Sequence, residues 1–344
     1  MRRTKQILAA ILCLTLAAAL VACGGGTGGT GGAGTTGESG EAGEATVTLR
    51  LFSAWPEGNS NLLGMEEFVQ DVYDKTNGTV IIEWGGGPEA IPANQLAEAI
   101  MNGVVDVAWT AHTFNVSHMP VLEALKLIDA PVLREGGGFA FVDELYQEYL
   151  NARYLGSPSD GLTFSLYLQR RIDSIDDFRG MTIRATPAYA AFIDALGAGQ
   201  VNMAAGETYQ ALERGVIQGT GWPSLGIADF GWHEVVDYII KPAFYNVDVA
   251  LVVSSQAWDR LSANQQTALQ DAALALEQWA RSYYSEAILR DNEMLEELGM
   301  TIIHLPPDVA EEYLDLAYSA SWASVLEADP VYGERLMRYA GLLD

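Results

Sequence analysis

Apolar and polar residues alternate through ATVTLRLFSAW, Ala45 to Trp55, with the period of two expected of a half-buried strand. The next run, NSNLLGMEEFVQDVYDKTNG, changes to helical spacing and stops at Asn77-Gly78. TVIIEWGGG predicts a second strand, ANQLAEAIMNG a helix and VVDVAWTA a third strand. Further on, GLTFSLYLQRR and MTIRAT predict strands, and AAFIDALGA a helix ending at Gly197. GETYQALERGVIQGTGW predicts another helix, opened by Gly206 and Glu207 and closed by Gly215. Strands alternating with helices predict an α/β fold with mostly parallel sheets.

Two such runs separated by a looser middle predict two lobes. From Ser262 to Gly299 the chain keeps helical periodicity with no proline and no internal glycine. At ~1.5 Å per residue this helix reaches roughly 50 Å, more than the width of one small domain. It is therefore expected to cross from one lobe to the other. The predicted division places residues 46–163 and 247–290 in lobe I, residues 164–246 and 291–344 in lobe II, and the crossing helix at 262–299. Lobes joined in this way fit a ligand trap that closes about a hinge, with the cleft between them as the binding site.

The N-terminal pattern is of another kind. MRRTKQ is a basic start and ILAAILCLTLAAALVA an apolar run too short for a comfortable membrane span. Leu20, Val21, Ala22 and Cys23 match a bacterial lipobox, so residues 1–22 are expected to be a signal peptide and Cys23 an acylated anchor. The only other cysteine, Cys13, lies within that signal, which leaves no disulfide partner in the mature chain. The Gly/Thr-rich stretch to residue 45 predicts a flexible tether, with the body held outside the cytoplasm at the cell membrane.

Charge narrows the choice of partner. The chain carries 45 Asp+Glu against 19 Lys+Arg, a net charge of -26, and removing the signal takes Arg2, Arg3 and Lys5 with it. Such a chain repels nucleic acid, and any anionic ligand needs a locally positive site. Arg184 is then conspicuous: it closes the apolar run Met181–Ile183 at a strand's carboxyl end, directly before a turn and a helix. A guanidinium there offers parallel donors to a carboxylate, and closing a cleft around the pair strengthens it.

The stretch SIDDFRGMTIRATPAYAAFIDALGAGQVNMAAGETYQALERGVIQG, with AIMNGVVDVAWTA upstream and HEVVDYIIKPAFYNVDVALVVSSQAWDRLSANQQTAL downstream, resembles the substrate-binding proteins of TRAP transporters, of the DctP type. The resemblance runs in order through most of residues 46–300. It implies a two-lobed, periplasmic-binding-protein-like fold, a small organic acid as ligand and the membrane subunits of a TRAP transporter as partner. It places Arg184 against the ligand carboxylate, Arg170 or Arg171 as a second cation, and Trp222 over the ligand as an apolar wall with one N–H donor. Tyr189, in the turn after Arg184, joins this set. In lobe I, Trp55 and the segment Trp109–Asn115 end strands, and matching by order puts Phe114 near the ligand, with Trp84 on another rim loop. Ala204 and Ala205 stand where the family usually has a bulky residue, which is expected to widen the pocket.

No enzyme constellation emerges. His112, His118, His233 and His304 have no zinc spacing, and WHEVVDY lacks the second histidine of a zinc-protease helix. Glu83, Asp106 and Asp229 follow no calcium-loop pattern, so no metal or other cofactor is expected. A binding protein of an ABC importer or of a sensor kinase shares the fold and the cleft, and a secreted hydrolase using a carboxylate pair is the remote alternative.

Overall fold

The structure, a computed structural model, describes residues 44–343, so Cys23, the expected signal peptide and most of the expected tether lie outside the described residues. Strand β1 (Val47–Ser53) carries the alternation seen in the sequence: Leu49 and Leu51 are buried and Arg50 between them is exposed. A helix, Met65–Lys75, buries Phe68 and Val72 and leads to β2 (Val80–Gly86), which lies parallel to β1. This helix starts later than the spacing predicts. Gly64 stands at φ 84°, and a Cβ there would meet Leu276 Cδ1 at 2.5 Å and Trp279 Cζ3 at 2.7 Å. The chain is bent so that its backbone touches another helix, a contact that only glycine allows.

β3 (Val107–Ala111) is buried along its whole length and lies parallel to β1 on the side away from β2. β4 (Ala152–Gly156) is the far edge of this five-stranded sheet, whose order is β2-β1-β3-β10-β4, with β10 formed by Val249–Ser254. The second sheet contains β5 (Phe164–Leu168), β6 (Thr182–Ala185), β7 (Gly199–Asn202), β8 (Gly219–Pro223) and β9 (Tyr238–Lys241). The chain then returns to the first sheet as β10 (Val249–Ser254), antiparallel to both β3 and β4, before β11 (Thr301–His304) completes the second. The six-stranded order is β11-β9-β5-β8-β6-β7, in which β6 is parallel to β7 and β8 while β5 is antiparallel to β8 and β9. Each sheet thus mixes parallel strands with antiparallel ones.

Three connections link the sheets. The segment from β4 to β5 and the segment from β9 to β10 pair with each other: Phe164 N donates to Tyr245 O at 2.8 Å and Val247 N to Leu162 O at 2.8 Å. The third is the helix Ala263–Glu297, 35 residues long, capped where Ser262 N donates to Gln265 Oε1 at 2.9 Å and Gln265 N to Ser262 Oγ at 3.2 Å. It packs against the helix Met65–Lys75 and β4 on one side and β11 on the other. Its buried face is built largely of small residues, Ala268, Ala272, Ala273 and Ala280 among them, so neighbouring backbone lies close to it.

Two turns of this helix grip the first connection. Glu277, 4% exposed, accepts from Arg134 Nε at 2.5 Å, Arg134 Nη2 at 3.1 Å and Ser157 N at 3.0 Å. One turn on, Arg281 donates to both oxygens of Asp160 at 2.8 and 3.0 Å. Breaking a buried pair by removing one partner strands the other. Glu277→Ala is therefore expected to lower unfolding free energy in urea by about 3 kcal/mol. Glu286→Ala, which removes the exposed partner of Arg290 on the same helix, is the control and should change little. Equal effects from the two substitutions would show that the clamp contributes nothing.

Candidate functional site

β6 and β8 run parallel, so their carboxyl ends reach the same edge of the second sheet. Ile183 turns into the core, and Arg184, the next residue, emerges at that edge with only 4% of its surface exposed. Its Nε donates to Met203 O at 3.2 Å, and its Nη1 donates to Gly221 O at 3.2 Å and Tyr189 Oη at 2.8 Å. The Tyr189 hydroxyl in turn donates to Gly221 O at 2.7 Å. Residue 221 has to be glycine, since a Cβ there would lie 2.5 Å from the Tyr189 ring. All these acceptors are neutral. Arg184 forms no ion pair among the described residues, and its Nη2 donates to no described group.

The guanidinium lines a cavity of about 340 Å³. Trp55 and Asn61, which follow β1, and Thr113 and Phe114, which follow β3, close it from the first sheet. Val247 and Asp248, on the connection from β9 to β10, form another wall, and Phe164, Asn202 and Trp222 close it from the second sheet. The aromatic walls brace one another: Trp55 and Phe114 lie 6.0 Å apart between ring centres, and Phe164 lies 5.3 Å from Tyr189. Trp222 stands edge-on to Trp232 at 4.9 Å, with the Arg184 guanidinium 5.4 Å from its ring centre. Its indole Nε1 is buried without a described partner.

Five residues singled out from the sequence therefore meet in one place: Arg184, Tyr189, Trp222, Phe114 and Trp55. Three do not. Arg170 and Arg171 are exposed, Arg171 paired with Asp173 at 3.0 Å and Arg170 donating to the backbone oxygen of Asp177. Strand direction is the reason. β5 is antiparallel to β8, so Phe164 pairs with Pro223 at the cavity edge whereas Leu168 pairs with Gly219 at the other edge. The two arginines follow Leu168 and leave the sheet at the wrong end. Trp84 sits on the edge strand β2, opposite Leu51, and packs on the core instead. Glu83 and Asp106 line a separate, more open groove of about 500 Å³, where Asp106 accepts from Arg50 N at 2.8 Å and Arg260 Nη2 at 2.5 Å. Asp229 is exposed on a short turn, and among the described residues no three His, Cys, Asp or Glu side chains cluster as metal ligands would.

The sequence reading missed Asn61, Asn202 and Asp248, and held Thr113 only as part of the segment Trp109–Asn115. Asp248 had a signal: it is a lone acid set in the apolar run FYNVDVALVV, directly before β10. It is 9% exposed, and its Oδ2 accepts from Thr113 N at 2.8 Å and Thr113 Oγ1 at 2.5 Å.

Residues 52–324 match the family described as bacterial extracellular solute-binding protein, family 7, or DctP. The chain belongs to that family. It is similar to the monocarboxylate 2-oxoacid-binding periplasmic protein of Nostoc sp., 24% identical over 241 residues that cover 66% of this chain and 65% of the relative. The match thus spans slightly less than two thirds of that relative's length. It is also similar to the C4-dicarboxylate-binding periplasmic protein DctP of Rhodobacter capsulatus, 26% identical over 309 residues, 80% of this chain and 90% of that one. Among solved structures, a TRAP periplasmic solute binding protein from Ochrobactrum anthropi superposes with a TM-score of 0.76 at 20% identity, covering 86% of this chain and 95% of that one. The fold is accordingly the two-lobed α/β fold of such proteins.

In this family 7 chain the groups behind the cavity are kept neutral. His112 is buried, with Nδ1 2.9 Å from the Tyr146 hydroxyl, and burial pushes its pKa down to about 4 against the opposing charge of Asp248. Burial also pushes the Tyr189 hydroxyl up, against the pull of Arg184, so it stays a neutral donor. The histidine makes a testable contribution to stability. Unfolded histidine takes a proton near pH 6.5, while folded His112 resists until about 4, so the unfolded state binds more protons in between. Stability is therefore lost as pH falls through this window, by up to about 1.4 kcal/mol per pH unit. In urea titrations the stability gap between wild type and His112→Asn should narrow steadily from pH 6.5 to 4; a constant gap would mean that His112 protonates freely in the fold.

Proposed function

We propose that this chain is an extracytoplasmic receptor that holds a small organic acid in the Arg184 cavity and delivers it to the membrane subunits of a TRAP-type transporter. The observation that carries the reading is the cation itself. Arg184 is almost fully buried, is positioned by three neutral acceptors and is ion-paired to no described carboxylate, so its anion is to come from the ligand. Nη2 is the donor left for that anion, and the aromatic walls supply the water exclusion that strengthens the pair. The two lobes, residues 46–163 with 247–290 and residues 164–246 with 291–344, close over the ligand about the paired connections. Acylated Cys23 holds the body at the membrane through the tether.

Two measurements test this reading. In a thermal-shift and titration series with mono-, di- and keto-carboxylates, amino acids and neutral sugars, carboxylates are expected to stabilise the protein. Ligand at 100 times Kd should add about 2.7 kcal/mol. Arg184→Ala should weaken the best acid by roughly 2 to 5 kcal/mol. A loss below tenfold with unfolding unchanged, or stabilisation by sugars alone, would defeat the assignment. For the anchor, Cys23→Ala should move the protein from the membrane fraction to the soluble fraction of the expressing cells; an unchanged distribution would rule out acylation there.

A further inference from the structure

We infer that the ligand is a monocarboxylate that also carries a hydrogen-bond donor, a hydroxyl, N–H or ammonium group, and that Asp248 reads this donor and rejects a second carboxylate. The inference rests on the proposed capture of an acid by Arg184 and adds the class of acid.

The first support is the charge count inside the cavity. Arg184 is the only lysine, arginine or histidine among the lining residues. The other cations do not line it: Lys126 is paired with Glu123, Lys241 donates to Ser165 Oγ at 3.5 Å, and Arg170 and Arg171 lie at the far edge of the sheet. His112 contacts Tyr146 rather than the cavity. One carboxylate can therefore be neutralised. A second would enter a desolvated space without a partner, in a chain that already carries -26.

The second support is Asp248. Its Oδ2 is saturated by Thr113, but its Oδ1 accepts from no described residue, although the side chain is nine-tenths buried and lines the cavity. That oxygen is left open to the cavity, and a ligand that strips water from it without offering a donor leaves a desolvated acceptor unpaired, at a cost in free energy. A ligand hydroxyl or N–H fills it; a ligand carboxylate is repelled by it. Arg184 and Asp248 come from different parts of the fold, the end of β6 and the connection into β10, so a ligand with both groups bridges them. Discrimination built on a buried polar group left unpaired by the wrong ligand is stronger than discrimination by apolar contact.

The test is a calorimetric titration of the purified protein with butyrate, 2-hydroxybutyrate and malate. Together these compare no donor, one donor, and one donor with a second carboxylate on nearly the same skeleton. 3-Phenylpropionate and 3-phenyllactate form a larger pair. Each hydroxy acid is expected to bind at least tenfold more tightly than its deoxy partner, and 2-hydroxybutyrate at least tenfold more tightly than malate. Asp248→Asn keeps an acceptor for Thr113, and it should shrink the preference of 2-hydroxybutyrate over malate by tenfold or more. Malate binding as tightly as 2-hydroxybutyrate in wild type, or an unchanged preference in a folded Asp248→Asn, overturns the inference while leaving acid capture intact. The wild-type series decides the matter even if that variant does not fold. Failure of every acid to bind, or binding that survives Arg184→Ala, overturns the capture reading itself.

Discussion

A guanidinium held by carbonyl oxygens and a phenol, with no carboxylate beside it, is the interaction around which the site is arranged. Arg184 loses most of its water when the chain folds, and Met203 O, Gly221 O and Tyr189 Oη replace only part of it. That arrangement fixes the cation's position without neutralising it. It also dictates its surroundings: Gly221 lacks a side chain so that Tyr189 can reach the carbonyl, and Trp222 presents its ring to the charge. An acidic exterior leaves such a site as the place where an anion is attracted rather than repelled.

The scaffold places this cation where two sheets face a common space. The connections between β4 and β5 and between β9 and β10 pair as antiparallel strands, and the long helix grips the first of them through Glu277 and Arg281. Val247 and Asp248, on the second of them, and Phe164, where the first enters β5, also line the cavity. Any change in the angle between the sheets would therefore pass through residues that touch the ligand space. Under the proposed function, coupling of this kind would let a closing motion and ligand contact stabilise each other.

Much of the fold was legible in residue order. Alternation in VTLRLFS, the helical period of the run after Gly64 and the uninterrupted pattern from Ser262 to Gly299 each correspond to an element. The start of the helix after β1 was not, because Gly64, in contact with Leu276 and Trp279 more than two hundred residues away in the chain, delays it to Met65. Part of the site was legible too. Arg184 and Trp222 end strands, and a cation closing an apolar run in so acidic a chain stands out by itself.

The sequence by itself determined many of the strands and helices, and which residue types could meet an acid, because periodicity and charge are local properties. Strand direction was decided only in three dimensions. Arg170 and Arg171 sit as close to a strand end as Arg184 does, but β5 runs opposite to β6, so the same local pattern places them at the other edge of the sheet. Asp248 shows the converse. Nothing beside it in the sequence ties it to Arg184, yet the return of the chain into β10 brings both to one cavity, because a sheet joins residues by pairing and not by their order.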